Sequence, residues 1–216
     1  MAEYGFRTVT GNDLSMLTGW LTQLQVSRWW PNTGDQISKI RERLCNPAIT
    51  QLIVTEAETP VAFVQHYAAR GWSDPQFAHL AHDTTGLDMF SGPSGFGHGG
   101  AWLRQLGDQL LERASTLAMD PTPDNTRATR AYKRAGFEGS VIRPDATGKS
   151  VLVMTRRRYP HLQCRNTSGE PHRGGGRAPL TPAPQAGLLA RSAERHEDAA
   201  FPGYPQHLAR RSAQYY

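Results

Sequence analysis

Apolar and polar positions in the first half of the chain repeat with two different periods. The alternation that is typical of a strand marks residues 4–9, 50–55 and 61–67. Helical spacing marks two amphipathic helices, the first carried by Leu14, Leu17, Leu21 and Leu24, and the second, over residues 33–44, by Ile37, Ile40 and Leu44. The run 56–60 predicts a hairpin, and residues 69–85 have the composition of a polar, irregular loop.

The second half of the chain combines short strands with two further helices. Strands are predicted over residues 86–91, 115–119, 139–143 and 150–154. One helix starts directly behind residues 95–100, and the other starts at Asp124 or Asn125 and ends at Gly136. This order predicts an α/β fold with a mixed α+β sheet and helices on both faces.

Composition changes sharply at Pro160. Residues 160–216 contain no Val, Ile, Met, Trp or Lys and are rich in Pro, Gly and Arg. Such a segment cannot bury enough apolar surface to offset the entropy lost on ordering, so we expect a disordered tail. Residues 1–159 are long enough for one well-formed core and are predicted to form a single domain.

Charge and cysteine usage exclude several classes of protein. The formal net charge of +5 is a modest excess, without the clustered basic face that nucleic-acid binding requires. Cys45 and Cys164 lie far apart, and the histidines show no ligand-type spacing, so we expect no metal. No stretch has the layout of a signal peptide or the length of a membrane span. These features predict a cytoplasmic monomer or homodimer without nucleic-acid or membrane partners.

A glycine-rich loop, Gly95-Phe96-Gly97-His98-Gly99-Gly100, runs straight into the third predicted helix. Glycine lets backbone N–H groups approach a ligand, and the first turn of a helix adds unpaired donors and the positive end of its dipole. A phosphate or pyrophosphate suits such a loop between a strand and a helix. Taken alone, the pattern also suits an ordinary tight turn.

A second pattern, N-x-x-A-x-x-x-Y-x-x-x-G-F, is formed by Asn125, Ala128, Tyr132, Gly136 and Phe137. The two patterns and the element order over residues 3–155 resemble the GNAT family of acyl-CoA-dependent N-acetyltransferases. Within it, the chain is most similar to the aminoglycoside 6′-N-acetyltransferase branch, through the segments Val26-Ser27-Arg28-Trp29-Trp30, Gly86-Leu87-Asp88 and Asp120-Pro121-Thr122-Pro123-Asp124-Asn125. The loop differs from the family pattern at Ser94, and the segment between Gly92 and Gly95 is shorter.

The resemblance implies acetyl-CoA as co-substrate, and no metal. The residues that it implies for binding the coenzyme are Phe90, Gly95, Phe96, Gly97, His98, Gly99, Gly100, Asn125 and Ala128. It places Tyr132 near the thioester sulfur, where a phenol can give a proton to the departing thiolate; the alternative is a core aromatic. Asn125 is then a helix cap, a ligand of the coenzyme arm, or both.

The nucleophile implied by the resemblance is an amine of the substrate. Asp88 is the candidate for positioning and deprotonating this amine, and Asp120 for binding a second ammonium group. The alternative for both is a structural carboxylate at the end of a strand or the start of a loop. Trp29 and Trp30 cannot both point into one core from a loop, so one of them lines the substrate site, or they form a hydrophobic lid.

These features together predict direct acetyl transfer, in a ternary complex, to a primary amine of a small cationic acceptor. An aminoglycoside is the leading acceptor, which would make the chain an antibiotic-resistance enzyme. A siderophore precursor, another amine metabolite or a protein N-terminus are alternative acceptors. A degenerate acyl-CoA-binding domain without catalysis is the alternative of a different class.

Overall fold

The computed structural model describes residues 3–71 and 74–158, so the predicted tail 160–216 lies outside the described residues. The elements follow one another as β1 (Tyr4–Thr8), α1 (Leu14–Leu21), α2 (Leu24–Ser27), α3 (Thr33–Arg43), β2 (Ile49–Glu56), β3 (Thr59–Ala68), β4 (Thr85–Ser91), α4 (Gly99–Leu110), β5 (Thr116–Met119), α5 (Thr126–Arg134), β6 (Glu138–Pro144) and β7 (Ser150–Arg157). Among these, no helix is long and apolar enough to cross a membrane.

The strands form one seven-stranded sheet in the order β1-β2-β3-β4-β5-β7-β6. Neighbouring strands are antiparallel except β4 and β5, which are parallel, so the predicted mixed sheet is confirmed. The hairpin between β2 and β3 turns on Ala57 and Glu58, with φ of 45° and 66°. This two-residue turn is tighter than the predicted run 56–60, and Pro60 belongs to β3.

Strands β4 and β5 diverge soon after they meet. Their parallel pairing joins Thr85 to Leu117 and Gly86 to Ala118, whereas β4 continues to Ser91 with pairing to β3 alone. The edge of β4 that faces β5 therefore has no strand partner beyond Gly86 in the described part of the chain. A gap opens in the middle of the sheet, and the candidate site lies at this gap.

Each face of the sheet is covered by helices. On one face, α4 and α5 bury a cluster that includes Trp102, Leu103, Leu106 and Tyr132. On the other face, α1 and α3 pack on β2, β3 and β4 through Leu17, Ile40, Ile53, Phe63 and Phe90. The inward stripe of α4 agrees with the spacing in the sequence, because the apolar side chains recur every three or four residues.

Two sequence predictions are wrong in detail. Leu24 was expected on the buried stripe of the first helix, but it is 79% exposed. The reason is the extended backbone of Gln23, with ψ of 133°, which breaks the helical spacing and turns Val26 inward instead. The loop 69–85 is also less irregular than predicted, because a 3-10 turn at Pro75–Phe77 buries Phe77 in a cluster with Ala118.

Candidate functional site

Three acidic side chains meet where β4 and β5 diverge. Asp88 lies on β4 beyond the last parallel pair, Asp120 directly follows β5, and Asp74 precedes the Pro75–Phe77 turn. Burial, reinforced by the charge of Asp88, raises the pKa of Asp74 to about 6 and that of Asp120 to about 7. Because the charge of each carboxylate affects the pKa of another, the three lie in one cleft of negative potential.

The Asp88 carboxylate is held by two side chains of β3. The Nε2 of Gln65 donates to Oδ2 at 2.8 Å, and the hydroxyl of Tyr67 donates to Oδ1 at 3.4 Å. Burial raises the pKa of Asp88, while these hydrogen bonds and the Arg43 guanidinium act in the opposite direction. The carboxyl therefore takes up a proton more readily than one in water, as a general base requires.

The Asp120 carboxylate is fixed from the 69–85 loop. The Nε2 of Gln76 donates to Oδ2 of Asp120 at 2.7 Å, and Gln76 is itself buried beside Phe77. Sequence reasoning missed Asp74, Gln65 and Gln76. The register of β3 with β4 could have indicated Gln65, whereas nothing in the polar loop distinguishes Asp74 or Gln76 from its neighbours.

Tyr132 connects the acidic cleft to α5. Its ring belongs to the core on the α4 side of the sheet, with 8% of the residue exposed. Burial raises the pKa of its phenol, and the charges of Asp88 and Asp120 raise it further. Its hydroxyl hydrogen-bonds to no other described residue, so a protonated phenol is available as a donor at the cleft.

The glycine loop presents backbone donors at the start of α4. Gly97 has φ of 100°, a conformation that favours glycine. The N–H groups of Phe96, Gly97, Gly99 and Gly100 make no backbone hydrogen bond within the described ranges. The guanidinium of Arg127 lies 4.1 Å from the centre of the Phe96 ring and adds a positive charge. This arrangement can hold a phosphate or pyrophosphate.

Gly95 and Gly100 are required for packing, whereas Gly99 is not. A Cβ at Gly95 would lie 1.9 Å from the carbonyl oxygen of Val61, and one at Gly100 would lie 2.9 Å from the Cβ of Arg134. A Cβ at Gly99 would contact Ala131 at 3.6 Å, whereas one at Gly97 would meet nothing within 4 Å. Gly97 is therefore glycine because of its backbone conformation and its open face.

The aromatic candidates divide between core and surface. Phe90 is 5% exposed, with its ring 4.9 Å from that of Phe63 and 5.1 Å from that of Trp30. The side chain of Phe90 is thus a core residue, and only its backbone on the free edge of β4 could meet a coenzyme. Trp30 packs on the same cluster, while half-buried Trp29 lies under the Arg28 guanidinium at 4.9 Å.

The remaining candidates stand at helix ends. Asn125 caps α5, since its Oδ1 accepts a hydrogen bond from the Ala128 N–H at 3.2 Å, which decides between the two predicted caps. The amide nitrogen of Asn125 has no protein partner among the described residues and could bind a ligand. His98 precedes α4, and its Nδ1 lies 3.2 Å from Oε2 of Glu56, which ties the glycine loop to the β2–β3 hairpin. No group of three or more His, Cys, Asp or Glu residues suited to a metal occurs in residues 3–71 and 74–158.

A known protein family, known proteins and solved structures each match more than half of this chain. The acetyltransferase (GNAT) domain family matches residues 10–141. Aminoglycoside N(6′)-acetyltransferase type 1 of Klebsiella pneumoniae is 30% identical over 169 residues, which cover 71% of this chain and 83% of that protein. The structure of AAC(6′)-Ib with paromomycin and acetyl-CoA has a TM-score of 0.65 at 25% identity, covering 77% of this chain and 99% of that chain. AAC(6′)-Ib with coenzyme A and kanamycin has a TM-score of 0.64 at 27% identity, covering 72% and 95%.

Proposed function

The chain belongs to the GNAT acetyltransferase family, and from this premise we propose that it transfers the acetyl group of acetyl-CoA to a primary amine of an aminoglycoside. The observation that carries the proposal is the meeting of Asp74, Asp88 and Asp120 with Tyr132 at the gap between β4 and β5. The relatives named aminoglycoside acetyltransferases, and the AAC(6′)-Ib complexes with acetyl-CoA or coenzyme A, support the same acceptor and co-substrate.

The residues around the glycine loop fit the pyrophosphate of coenzyme A. The unpaired N–H groups of Phe96, Gly97, Gly99 and Gly100, next to the Arg127 guanidinium, would hold it. The free amide nitrogen of Asn125 and the small side chain of Ala128 leave room for the coenzyme arm along α5. Acetyl-CoA supplies an acyl thioester, which an amine can attack at the carbonyl carbon with a thiolate as leaving group.

The protein then provides a base, an acid and a donor to the carbonyl oxygen. Asp88 orients the acceptor amine and takes its proton, because its partly buried carboxyl binds a proton more tightly than a free one. Tyr132 gives its phenolic proton to the departing sulfur, since its raised pKa keeps it protonated. A backbone N–H on the free edge of β4 faces the developing negative charge on the carbonyl oxygen.

The acidic cleft favours a polycationic acceptor over the alternatives. A protein N-terminus or a monoamine brings one ammonium group to a cleft with three carboxylates, those of Asp74, Asp88 and Asp120, near which the charges include one guanidinium, that of Arg43. An aminoglycoside brings several ammonium groups, and charge complementarity then supports both binding and specificity. A polyamine or a cationic siderophore precursor would satisfy the same cleft, so these acceptors belong in the test.

The test is thiol release from acetyl-CoA across a panel of aminoglycosides, polyamines, monoamines and a peptide N-terminus. We expect turnover with kanamycin-type acceptors, a 6′-N-acetyl product by NMR, and reduced drug susceptibility of bacteria that express the chain. Asp88→Asn should lower kcat by about 100-fold or more while coenzyme A still binds, with exposed Asp35→Asn as the matched control. Coenzyme A binding without turnover of any amine would favour the non-catalytic alternative.

A further inference from the structure

A row of polar side chains crosses the sheet next to the cleft. Gln51 on β2 is in register with Gln65 on β3, and Gln65 is in register with Asp88 on β4. Residues paired in this way point to the same face of a sheet. Two positions along each strand, Ile53, Phe63 and Phe90 pack on that face against α1 and α3. The row therefore lies under the C-terminal end of α3, where Arg43 is the last helical residue.

The contacts of Gln65 permit one orientation of its amide. Its Oε1 accepts from Nε2 of Gln51 at 3.3 Å and from Nη1 of Arg43 at 3.4 Å. Its Nε2 then points at Asp88 and donates to Oδ2 at 2.8 Å. A flipped amide would place the NH₂ group of Gln65 against two donors and an oxygen against a carboxylate, so the neighbours determine which atom faces Asp88.

This row is not the most stable arrangement for these positions. Gln51 and Gln65 are 4% and 3% exposed, and the Oε1 of Gln51 is buried without a hydrogen-bond partner among the described residues. Burying two amides and leaving one oxygen unsatisfied lowers the free energy of unfolding. Apolar side chains at the same positions would avoid this loss. A feature that lowers stability beside a cleft is expected to act in the cleft.

We propose that Gln65, fixed by Arg43 and Gln51, is a positioning residue that holds Oδ2 of Asp88 and thereby aims Oδ1, which also accepts from the Tyr67 hydroxyl at 3.4 Å, at the acceptor amine. The inference rests on the proposed acetyl transfer. In that step an N–H bond of the amine breaks and its proton goes to Oδ1, while the nitrogen lone pair forms the C–N bond. The C–S bond breaks and the sulfur takes the proton of Tyr132. Proton passage from Asp88 to Tyr132 through solvent restores both residues.

Arg43 also affects whether Asp88 is ionised. The charged and titratable groups that face Asp88 are Arg43 from α3, Tyr67 from β3, Asp74 from the loop, Asp120 after β5 and Tyr132 from α5. Burial raises the pKa of Asp88, whereas the Gln65 hydrogen bond and the Arg43 charge oppose that rise. Removing either one raises the pKa further, so fewer molecules carry the carboxylate that accepts the proton at a given pH.

The first experiment compares the pH profile of kcat/KM for kanamycin in Arg43→Gln, Arg43→Lys and the wild type. Arg43→Gln should move the acid limb upward by about 0.5–1 pH unit, with a loss of up to about tenfold below the limb and little loss above it. Arg43→Lys keeps the positive charge, so its acid limb should lie close to that of the wild type. KM for acetyl-CoA should stay the same in both variants. Arg41→Gln, an exposed change of equal charge on the same helix, is the control and should leave the limb in place.

The second experiment needs no turnover. Carbon-13 NMR of carboxyl-labelled aspartate follows the titration of Asp88 in the free full-length protein, with the signal assigned by Asp88→Asn. Arg43→Gln and the shape-conserving Gln65→Met should both raise the pKa of Asp88, and Arg41→Gln should not. If neither variant moves the titration of Asp88, the positioning role of Gln65 is overturned. If the titration moves but no amine is acetylated by the wild type, the proposed function fails while the contact between Gln65 and Asp88 stands.

Discussion

The hydroxyl of Tyr132 is the atom to which we assign the proton for the departing thiolate. Tyr132→Phe removes this hydroxyl and keeps the ring in the core. Because burial and two carboxylates raise the pKa of the phenol, it stays protonated at every working pH. We therefore expect kcat to fall by about 10- to 100-fold without a change in the shape of the pH profile, measured as thiol release under saturating acetyl-CoA.

A matched variant separates this role from packing. Tyr4→Phe removes the hydroxyl of another buried tyrosine in the same cluster, next to Glu56 and away from the cleft. It should leave kcat unchanged, and both variants should keep the melting temperature within a few degrees of the wild type. Wild-type kcat in Tyr132→Phe would show that another group, or water, protonates the sulfur.

Individual residues differ in how far the sequence indicates them. Asp88 within β4, Asp120 directly after β5 and Tyr132 in the α5 pattern belong to segments that resemble a known family, and the structure brings them into one cleft. Gln65 and Asp74 escaped notice for a physical reason. A glutamine in the middle of a strand acquires its role from the strand beside it, and a loop aspartate acquires its role from the path of the loop, neither of which is a local property.

The junction between β4 and α4 depends on the backbone of Gly97. Gly97→Ala places a side chain at φ of 100° in open space, so the expected cost of about 1 kcal/mol or more comes from backbone strain alone. Relief of that strain rotates the N–H groups that we assign to the pyrophosphate. We expect the Kd of coenzyme A, measured by calorimetry, to rise by about tenfold or more.

Gly148→Ala is the control for this change. Gly148 has φ of 84°, also in open space, in the turn between β6 and β7 away from the loop. The two variants should lose similar stability in urea, but Gly148→Ala should bind coenzyme A as the wild type does. Equal binding by both variants would contradict the assignment of the glycine loop.

Helices and strands were predictable where the pattern of burial is local. The stripe of Trp102, Leu103 and Leu106 on α4 follows from spacing alone, because one helix face meets one sheet face. The gap between β4 and β5 was not predictable from the sequence. It depends on pairing that stops after Gly86, between strands that are far apart in the sequence. The sequence did not predict the helix break at Gln23, because the leucine spacing continues through it.

The chain has a formal net charge of +5, yet its cleft carries three acidic side chains. The partly buried carboxyls have pKa values of about 6 for Asp74 and about 7 for Asp120, so they are uncharged in acid and ionise around neutral pH. Binding of a polycation should therefore strengthen as pH rises through this window and weaken with salt. The stability of the free protein changes with pH in the opposite direction. A raised carboxyl pKa makes the folded state more stable below that pKa and less stable above it.

Asp120→Asn tests both the stability of the free protein and the binding of the polycation. The amide matches the carboxyl in shape, and at pH 8 it removes a charge that burial and Asp88 disfavour. We expect the free variant to be more stable than the wild type at pH 8 by about 1 kcal/mol, or roughly 2–4 °C in melting temperature, with the gain shrinking as pH falls and vanishing only at about pH 4, where the carboxyl of the unfolded chain is protonated as well. KM for kanamycin should rise by about tenfold, since one counter-charge is lost. Scanning calorimetry at the two pH values, with exposed Asp124→Asn as control, checks the stability. A melting temperature that falls at pH 8 would mean that the Asp120 charge is already compensated in the free protein, and the cleft would then have no unmet demand for cations.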